Sequence, residues 1–472
     1  MIDNHKLAPF RFREVAGSTL ITNETGQFHL YDRKIIERLF DKSISDEEVR
    51  ALRDQSVLIA PEEEWKYFSL LSQIKKNVAR ESARLNYLIV IPTLRCDLSC
   101  SYCQVSRADI NAKGYDWDSE TIERFRSFLA KHGSNGMKIE FQGGEPSLRP
   151  DLIQTVVDIA DELFENVEFV ICTNLTNITE EFGKVISNEK ISLSTSIDGP
   201  KSSMTLNRTS SDVISDNVLD NVKKIIKEFG HSKISALPTI TEDQIDAPEK
   251  LIDHYRDIGF NTIFLRPVNY QGFARKSFKE LSHAINRWNG FYSAAMQYIL
   301  ELSKSTYFEE FYTGELVRKI FADKSSGFVD YKSPAKYAQN YCVIDFDGKI
   351  YPTDESRMLS RTRQVDLCIG DLETGLNKEK IDDLNQSAIH HVHEDCIHCA
   401  YMPFCGIDII DDMSRYARFD LPKNSTWFCN RHIFLFDFIF EKVINWETDW
   451  LKLFNSWIMQ SRQNSEALEV FR

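Results

Sequence analysis

The order of apolar segments along the chain is the feature that most restricts its fold. Helical patterns separate six β-rich runs, and the clearest of these patterns has Ile122, Phe125 and Leu129 on one face. The six runs lie at residues 87–91, 137–142, 167–172, 190–196, 233–240 and 262–266. Strand–helix alternation implies parallel pairing, and six units are fewer than the eight of a complete barrel. The sequence therefore predicts an α/β fold with an open, partial (βα)6 barrel.

Polar or glycine-containing segments follow five of these six runs. They are a cysteine loop after the first, Gly143-Gly144-Glu145-Pro146 after the second, Thr173-Asn174 after the third, residues 196–200 after the fourth and Arg266-Pro267 after the sixth. Ligands of parallel α/β folds bind where the carboxyl ends of the strands meet. We therefore expect the five loops to converge on one site.

The cysteine loop contains Cys96, Cys100 and Cys103 in the spacing C-x3-C-x2-C. A closed zinc site or a fully ligated iron–sulfur cluster uses four protein ligands, so three thiolates on a four-iron cluster leave one iron open. A zinc site completed by a distant residue is the alternative.

Composition limits the partners and the compartment. The chain has 472 residues, enough for two to four domains, with 42% hydrophobic and 27% charged residues. Its net charge of -14 argues against nonspecific binding to nucleic acid or to an anionic membrane. We see no signal peptide and no apolar run of membrane-spanning length. The expected compartment is the reducing cytoplasm, where clustered cysteines bind metal more often than they form disulfides.

The carboxy-terminal region contains a second cysteine group. Cys396, Cys399 and Cys405 have the spacing C-x2-C-x5-C, and Cys429 follows 24 positions later. This pattern predicts a metal site but does not by itself separate zinc from iron–sulfur. Cys342 and Cys368 stand apart from it, and Cys172, within an apolar strand, is expected to be a packed core thiol.

The chain is expected to divide into three parts. Residues 1–80 combine strands within 8–32 with two short helices at 33–41 and 45–54, the second capped by Ser45. Residues 81–300 form the partial barrel, and residues 301–472 form a cysteine-rich region with a terminal helix. The first part is either a peptide-recognition module, similar to elements that bind leader peptides, or a structural cap on the barrel.

The cysteine loop, with Tyr102 just before its last cysteine, resembles that of the radical S-adenosylmethionine (SAM) enzymes. In that family a [4Fe–4S] cluster binds the amino and carboxylate groups of SAM at its open iron. One electron then cleaves SAM and releases a 5′-deoxyadenosyl radical. The resemblance implies that Cys96, Cys100 and Cys103 hold such a cluster in this chain.

The same resemblance implies a set of cofactor-binding residues. Gly143, Gly144 and Glu145 resemble the site for the SAM amino group. Ser196, Asp198 and Arg208 resemble positions that contact the ribose and carboxylate of SAM. The remaining candidates are Tyr102, Asn174 and Arg266. The alternative for the polar members is a helix cap or a surface charge.

The carboxy-terminal cysteines resemble the SPASM extension, which carries auxiliary iron–sulfur clusters. Cys396, Cys399, Cys405 and Cys429 match the ligands of the outer auxiliary cluster. Thr353 and Ile409 stand where the family has cysteines of an inner cluster, so we expect one auxiliary [4Fe–4S] cluster. Asp354 resembles the proton-accepting catalytic aspartate of sulfatase maturases, and a solvated turn carboxylate is the alternative.

Over its whole length the chain most resembles the His-Xaa-Ser system radical SAM maturases. The resemblance implies hydrogen abstraction from a ribosomally made precursor peptide, leading to a crosslink or an oxidation. It also implies an electron donor such as flavodoxin or ferredoxin, and a second, paired maturase. The alternatives are a sulfatase-type maturase that forms formylglycine, a non-catalytic iron–sulfur redox sensor and a zinc-stabilised peptide-binding scaffold.

Overall fold

The structure is a computed structural model that describes residues 4–78, 84–277, 284–322, 336–389 and 392–469, without the side chains of residues 76–78 and 461–469. None of the helices among these residues is both long and apolar enough to cross a membrane. All ten cysteines lie in the described residues, and each is a free thiol.

The amino-terminal segment forms five strands and three helices. They are β1 (Lys6–Leu7), β2 (Phe10–Val15), β3 (Ser18–Asn23), β4 (Phe28–Asp32), α1 (Ile35–Phe40), α2 (Asp46–Asp54), β5 (Leu58–Ile59) and α3 (Glu64–Val78). Strands β2, β3 and β4 pair antiparallel, as do β1 and β5. Ser45 and Glu48 form the capping box that begins α2. The strands and both short helices expected in this segment are confirmed.

The two faces of β3 bury against different parts of the molecule. Ile21 packs with Ile35, Leu52 and other residues of the amino-terminal segment, which therefore has a hydrophobic core of its own. Leu20, the residue that precedes Ile21, belongs to the large core formed by the rest of the chain. Because successive side chains of a strand point to opposite faces, β3 joins the segment's own core to the rest of the protein.

Thirteen further strands are described after residue 84. They are β6 (Leu85–Thr93), β7 (Arg95–Cys96), β8 (Ala108–Asp109), β9 (Gly133–Gly143), β10 (Val167–Thr173), β11 (Ile191–Ser196), β12 (Ile234–Leu237), β13 (Thr262–Ile263), β14 (Glu309–Glu310), β15 (Tyr341–Ile344), β16 (Lys349–Tyr351), β17 (Gly370–Asp371) and β18 (Gly375–Leu376). Nine of them form one sheet in the order β12-β11-β10-β9-β6-β15-β16-β17-β18. Pairing is parallel from β12 to β15 and antiparallel from β15 to β18.

Helices connect the parallel strands, as the alternation predicts. They are α4 (Ser119–His132), α5 (Pro150–Leu163), α6 (Glu180–Ile186), α7 (Lys201–Met204), α8 (Asp212–Phe229) and α9 (Pro248–Ile258). In α4 the predicted apolar face is buried at Phe125 and Leu129, and Asp118 caps the amino terminus. Five of the six predicted strands lie in the main sheet. The sixth, β13, pairs instead with β14. The segment after β13 meets the segment after the edge strand β12 at a bridge between Ile240 and Pro267.

The sheet extends beyond the expected boundary at residue 300. Strand β15 pairs in parallel with β6, so a strand from the carboxy-terminal region lies beside the first strand of the barrel. The remaining helices are α10 (Ala274–Ser277), α11 (Ile285–Ser303), α12 (Phe311–Phe321), α13 (Asp354–Arg361), α14 (Lys378–Ser387), α15 (Glu394–Ile397), α16 (Ile409–Tyr416), α17 (Trp427–Ile444) and α18 (Thr448–Glu469). Phe436 and Phe440 of α17 and Trp457 of α18 are buried in the shared core.

Candidate functional site

The loop after β6 carries the first three cysteines and is held by backbone contacts on two sides. Ser101 N donates to Asn207 O over 2.9 Å, and Cys103 O accepts from Phe273 N over 2.9 Å. The Cys96, Cys100 and Cys103 side chains are all half-buried. Burial raises the pKa of both the Cys96 and the Cys100 thiols. The charge of Cys100 raises the pKa of Cys96 further, and the charge of Cys103 raises that of Cys100 further. The three thiols are therefore near neighbours.

Gly143 and Gly144 bring the loop after β9 against the start of the cysteine loop. A Cβ on Gly143 would lie 2.3 Å from Thr93 O, and one on Gly144 would lie 2.2 Å from Arg95 O. Gly143 also has a φ of +130°, which side chains disfavour. Both glycines are required by the approach of the chain to itself.

Glu145 is buried and faces the carboxyl end of β10. Its carboxylate accepts from the Thr173 hydroxyl over 2.7 Å, from Asn174 N over 2.7 Å and from Ser147 N over 3.0 Å. Burial raises its pKa, and these hydrogen bonds oppose that shift. Its charge raises the pKa of Cys96, so the carboxylate lies close to the cysteine loop. Since a carboxylate accepts about four hydrogen bonds, it retains capacity for one ammonium donor.

Tyr102, Asp198 and Arg208 form a buried group beneath the cysteine loop. The Tyr102 hydroxyl donates to Asp198 and accepts from Arg208 Nη1 over 2.7 Å. Arg208 lies 3.7 Å from the Asp198 carboxylate, which also accepts from Thr239 N over 3.1 Å. The positive charge of Arg208 lowers the pKa of Cys100, whose thiol is therefore nearby. The loops after β9, β10 and β11 thus meet at the cysteine loop. Because Asp198 and Arg208 are buried partners, the alternative that they are surface charges is wrong.

The other cofactor-binding candidates lie on the same edge. Asn174 is buried and its side chain donates to Asp97 Oδ1, within the cysteine loop, over 2.7 Å. Ser196 is half-buried at the last position of β11. Arg266 follows β13 and lies 3.9 Å from the Glu355 carboxylate. The predicted convergence of loops at the carboxyl ends of the strands is therefore present.

Thr353 and Asp354 begin α13, directly after β16. The Thr353 hydroxyl accepts from Ser356 N over 3.1 Å and caps the helix. Asp354 is buried, and its Oδ1 has no hydrogen-bond partner among the described residues. Burial raises the pKa of Asp354 to about 7, against the charge of Arg357. The alternative of a solvated turn carboxylate is wrong.

A polar group lies between the strands, close to Asp354. Glu140 of β9 accepts from the Tyr87 hydroxyl over 2.7 Å and from the Cys172 thiol over 3.2 Å. The charge of Asp354 raises the pKa of Cys172, as does that of Glu140. The expectation that Cys172 is a packed core thiol is wrong, because its side chain faces these polar groups and not the apolar layer beneath the helices.

A cavity of about 120 Å³ separates the edge of the barrel from the carboxy-terminal helices. Residues from both sides line it, among them Arg266, Gln271, Thr353, Glu355, Arg415 and Trp427. The Arg415 guanidinium stacks 4.2 Å from the centroid of the Trp427 ring. Gln271 Oε1 and Trp427 Nε1 are buried without a hydrogen-bond partner in the described part of the chain. These two atoms are buried beside the cavity and do not face into it.

The carboxy-terminal cysteines gather near α15 and the first turn of α17. Burial raises the pKa of the Cys405 thiol, and the charges of Cys429, Cys399 and Cys396 raise it further. Burial likewise raises the pKa of Cys396 and of Cys429 to about 12, with neighbouring thiols contributing to each. These mutual effects show that the four side chains predicted to share a cluster are close together.

The cysteines outside this group lie elsewhere. Cys342 is buried in β15, and burial alone raises its pKa, with no contribution from another thiol. The Cys368 thiol donates to Gly370 O over 3.2 Å. At the two positions where the resemblance places cysteines, Thr353 caps α13 and Ile409 is a buried residue at the start of α16.

Residues 90–265 match the Radical SAM superfamily. This segment is a radical SAM domain. Such domains use a [4Fe–4S] cluster and SAM, which confirms the cofactors expected for the cysteine loop. The assignment to the His-Xaa-Ser subfamily stays a prediction.

Parts of the chain are similar in sequence to curated proteins of other organisms. A stretch of 117 residues is 34% identical to an uncharacterized protein of Methanocaldococcus jannaschii and covers 24% of this chain and 39% of that protein. The chain is also 23% identical over 379 residues to a cysteine-type anaerobic sulfatase-maturating enzyme of Clostridium perfringens. That alignment covers 76% of this chain and 98% of the enzyme.

Two solved structures share the fold. The structure of anSMEcpe with bound AdoMet has a TM-score of 0.60 at 19% identity and covers 76% of this chain and 98% of its own. The structure of Streptococcus suis SuiB bound to the precursor peptide SuiA has a TM-score of 0.52 at 15% identity. The match covers 89% of this chain and 99% of the SuiB chain. The expected fold class, a radical SAM barrel with a carboxy-terminal extension, is confirmed.

The donor sets fit the clusters that the radical SAM domain and its extension imply. Within the described residues, no three His, Cys, Asp or Glu side chains converge as a single metal ion requires. The thiols instead form one group of three and one group of four, the numbers that an open and a closed [4Fe–4S] cluster use.

Sequence reasoning missed several residues that position the radical SAM domain's loops. Gly272 has a φ of +50°, and a Cβ on it would lie 2.5 Å from Cys103 O, so the loop after β13 packs on the cysteine loop. Arg357 and Asp345 are fully buried partners 3.3 Å apart, and Arg357 Nη2 donates to Val105 O over 3.2 Å. A glycine that follows a predicted strand can indicate a close approach of the backbone, so the sequence contained a signal for Gly272. No local sequence pattern indicates that Arg357 pairs with Asp345.

Proposed function

We propose that the chain is a radical SAM maturase that modifies a residue of a ribosomally made peptide. The observation that carries the proposal is the convergence of Glu145, Asp198 and Arg208 on the three-cysteine loop of the radical SAM domain. When bound, the cluster and SAM supply a 5′-deoxyadenosyl radical that takes a hydrogen atom from the peptide. The protein supplies binding, orientation and exclusion of water.

In this proposal the buried residues around the loop bind SAM. Glu145 accepts a charge-assisted hydrogen bond from the SAM ammonium. Thr173 and Asn174 hold the Glu145 carboxylate in place. Arg208 lies between the Tyr102 hydroxyl and the thiol of Cys100, where a cation suits the SAM carboxylate. Ser196, at the neighbouring strand end, is the proposed partner of the ribose.

The cavity between the two halves of the molecule is the proposed site of the peptide residue that is modified. It opens beside Thr353 and Glu355, which flank Asp354, and therefore adjoins the proposed proton acceptor. Gln271, Arg415 and Trp427 line the cavity and offer polar and aromatic side chains to a peptide residue. Burial keeps Asp354 at a pKa of about 7, where it can accept a proton at neutral pH.

Residues 1–80 are proposed to capture the leader segment of the precursor peptide. Trp65, Phe68 and Leu71 occupy one face of α3, and their side chains are 65%, 64% and 40% exposed. Strands β2 and β4 each pair with β3 alone among the described residues, so each leaves an edge to which an extended peptide could add. SuiB, which shares the fold, was solved with its precursor peptide SuiA.

SAM cleavage is the first test. We expect the reconstituted, reduced protein to produce 5′-deoxyadenosine, and the triple variant Cys96→Ala, Cys100→Ala, Cys103→Ala to produce none while keeping its carboxy-terminal iron. The Cys172→Ala variant is the control, because this thiol belongs to neither cysteine group. Equal 5′-deoxyadenosine from the triple variant would overturn the proposal, and no cleavage by the wild type would favour a redox sensor.

Peptide capture is the second test. We expect Trp65→Ala with Phe68→Ala to weaken binding of the precursor peptide at least about tenfold, measured by calorimetry, with uncoupled SAM cleavage unchanged. Trp446→Ala, which removes an equally exposed Trp elsewhere, is the matched control. Unchanged affinity in the α3 variant would favour the structural-cap alternative for residues 1–80.

A sulfatase-type maturase is the second candidate, supported by the alignment with the Clostridium perfringens enzyme and by the burial of Asp354. Mass spectrometry of a candidate precursor peptide and of a candidate sulfatase, each coexpressed with and without the enzyme, separates the two. Loss of two hydrogens with a new crosslink supports the first candidate. Conversion of a serine or cysteine of a sulfatase to formylglycine supports the second.

A further inference from the structure

The amino-terminal segment packs directly on the loop that carries Cys396 and Cys399. Arg11 Nε donates to Ile397 O over 2.8 Å, and the Thr22 hydroxyl donates to Ala400 O over 2.8 Å. Both acceptors are next to a cysteine in sequence. The strands β2 and β3 therefore form one wall of the carboxy-terminal cysteine group.

Arg11 is buried with part of its hydrogen-bonding capacity unused. Its Nη2 donates to Glu24 Oε1 over 2.6 Å, and its side chain is 4% exposed. Its Nη1 is buried with no hydrogen-bond partner in the described residues. A buried guanidinium nitrogen without an acceptor is costly, because the desolvation of a charged donor is left uncompensated.

The Arg11 guanidinium lies against the loop between Cys396 and Cys399, because its Nε donates to Ile397 O over 2.8 Å. Arg13, on the same strand, makes two hydrogen bonds of 2.7 Å to Asp437. The carboxylate of Asp437 thus satisfies Arg13, whereas Arg11 Nη1 has no acceptor among the described residues.

We propose that Arg11 is an outer positioning residue of the auxiliary cluster, and that its Nη1 donates to a sulfur of that cluster. The inference rests on the proposed cluster at Cys396, Cys399, Cys405 and Cys429. A buried cation and an N–H···S hydrogen bond stabilise the reduced form, which carries one more negative charge, and so raise the reduction potential. The amino-terminal segment then belongs to the cluster's environment as well as to the peptide-recognition surface.

The wall of the cluster site and the exposed apolar face proposed for peptide capture lie on different elements of the segment. Arg11 and Thr22 lie on the sheet, on β2 and β3, whereas the exposed apolar residues Trp65 and Phe68 lie on α3. Deleting residues 1–80 would therefore remove a wall of the cluster site together with the peptide-binding face. Point variants are needed to separate the two roles.

The test measures the reduction potential of the auxiliary cluster alone. In the full-length chain carrying Cys96→Ala, Cys100→Ala and Cys103→Ala, a redox titration followed by electron paramagnetic resonance reports that cluster only. We expect Arg11→Gln to lower the equilibrium constant for reduction about tenfold, which is about 59 mV for one electron. Arg11→Lys keeps the charge and should restore more than half of that shift.

Arg33→Gln is the matched control, since Arg33 belongs to the same segment but is 71% exposed and pairs with Glu14. If Arg11→Gln does not fold because the buried ion pair with Glu24 is lost, the double variant Arg11→Gln, Glu24→Gln removes both charges of that pair. An unchanged potential in either variant, or an equal shift in Arg33→Gln, would overturn the role of Arg11. Absence of iron from the carboxy-terminal cysteines would overturn the proposed cluster as well.

Discussion

Arg208 Nη1 donates a hydrogen bond to the Tyr102 hydroxyl over 2.7 Å, across a separation of 106 positions. The same hydroxyl donates to Asp198, so one buried tyrosine links a cation and an anion from the loop after β11. Since Tyr102 lies between Cys100 and Cys103, this contact holds the cysteine loop at the edge of the sheet. The group is formed by the protein alone and does not depend on SAM.

Tyr102→Phe should therefore destabilise the SAM-free protein. The substitution removes a hydroxyl that bonds two charged groups, each bond being worth about 1.5–3 kcal/mol, and we expect a loss of about 2–3 kcal/mol in urea unfolding. Tyr298→Phe is the control, because its hydroxyl bonds the half-exposed Asp253 over 2.8 Å. Equal losses in the two variants would contradict a structural role for the Tyr102 group.

Glu145→Gln should lower SAM affinity by about tenfold or more while the cluster is retained. The amide keeps the shape of the side chain but loses the charge that attracts an ammonium. Glu310→Gln is a matched control, since Glu310 is also a buried helix cap with three hydrogen-bond donors around it. Equilibrium dialysis with SAM and iron analysis measure the two effects. A Gln variant that binds SAM normally would remove Glu145 from the proposed site.

Thr353→Ala should destabilise the protein by about 1 kcal/mol, the usual cost of losing a threonine cap. Thr353→Ser keeps the hydroxyl that bonds Ser356 N and should be nearly neutral. Thr353→Cys should bring no additional iron, because the neighbouring inner-cluster position is the buried Ile409. Urea unfolding and iron analysis check these outcomes, and a gain of about four irons in the Cys variant would show the inner site to be nearly complete.

The reconstituted protein should hold about eight irons, four in each of two clusters. Cys342→Ala with Cys368→Ala should leave the iron content unchanged, because burial alone raises the pKa of Cys342 and the Cys368 thiol donates to Gly370 O. Cys399→Ala is the positive control and should reduce cluster occupancy. Mössbauer spectroscopy showing about twelve irons in the wild type, with four lost in the double variant, would contradict the expectation.

Asp354 should make stability depend on pH. Burial raises its pKa from 3.8 to about 7, so between these values the native state holds a proton that the unfolded state has lost. The free energy of unfolding should then fall as pH rises from about 4 to about 8, by at most roughly 4 kcal/mol. Asp354→Asn should lack this fall, whereas Asp366→Asn, on an exposed turn, should retain it.

Urea unfolding at pH 5 and pH 8 measures this dependence. Parallel pH profiles for the wild type and Asp354→Asn would show that the carboxyl ionises normally. If Asp354 accepts the proton in peptide modification, the rate of that reaction should rise as pH passes about 7.

Local pattern in the sequence determined the positions along the chain of the barrel's first five strands, the helices between them and the membership of the two cysteine groups. These follow from hydrophobic period, capping residues such as Ser45 and Asp118, and cysteine spacing, all of which act over a few neighbouring residues. The sixth strand was different, because β13 is short and its partner β14 is supplied by a segment more than forty residues later.

Only the tertiary structure decided how distant residues meet. It brought Arg11 against the loop between Cys396 and Cys399, buried Asp354, and turned Cys172 toward Glu140. Each of these depends on which face of an element packs against another, and burial and charge then set the chemistry of the side chain. A sequence records the residue types at such positions, but their environment arises from contacts between segments that are 32 positions apart for Cys172 and Glu140 and 386 apart for Arg11 and Ile397.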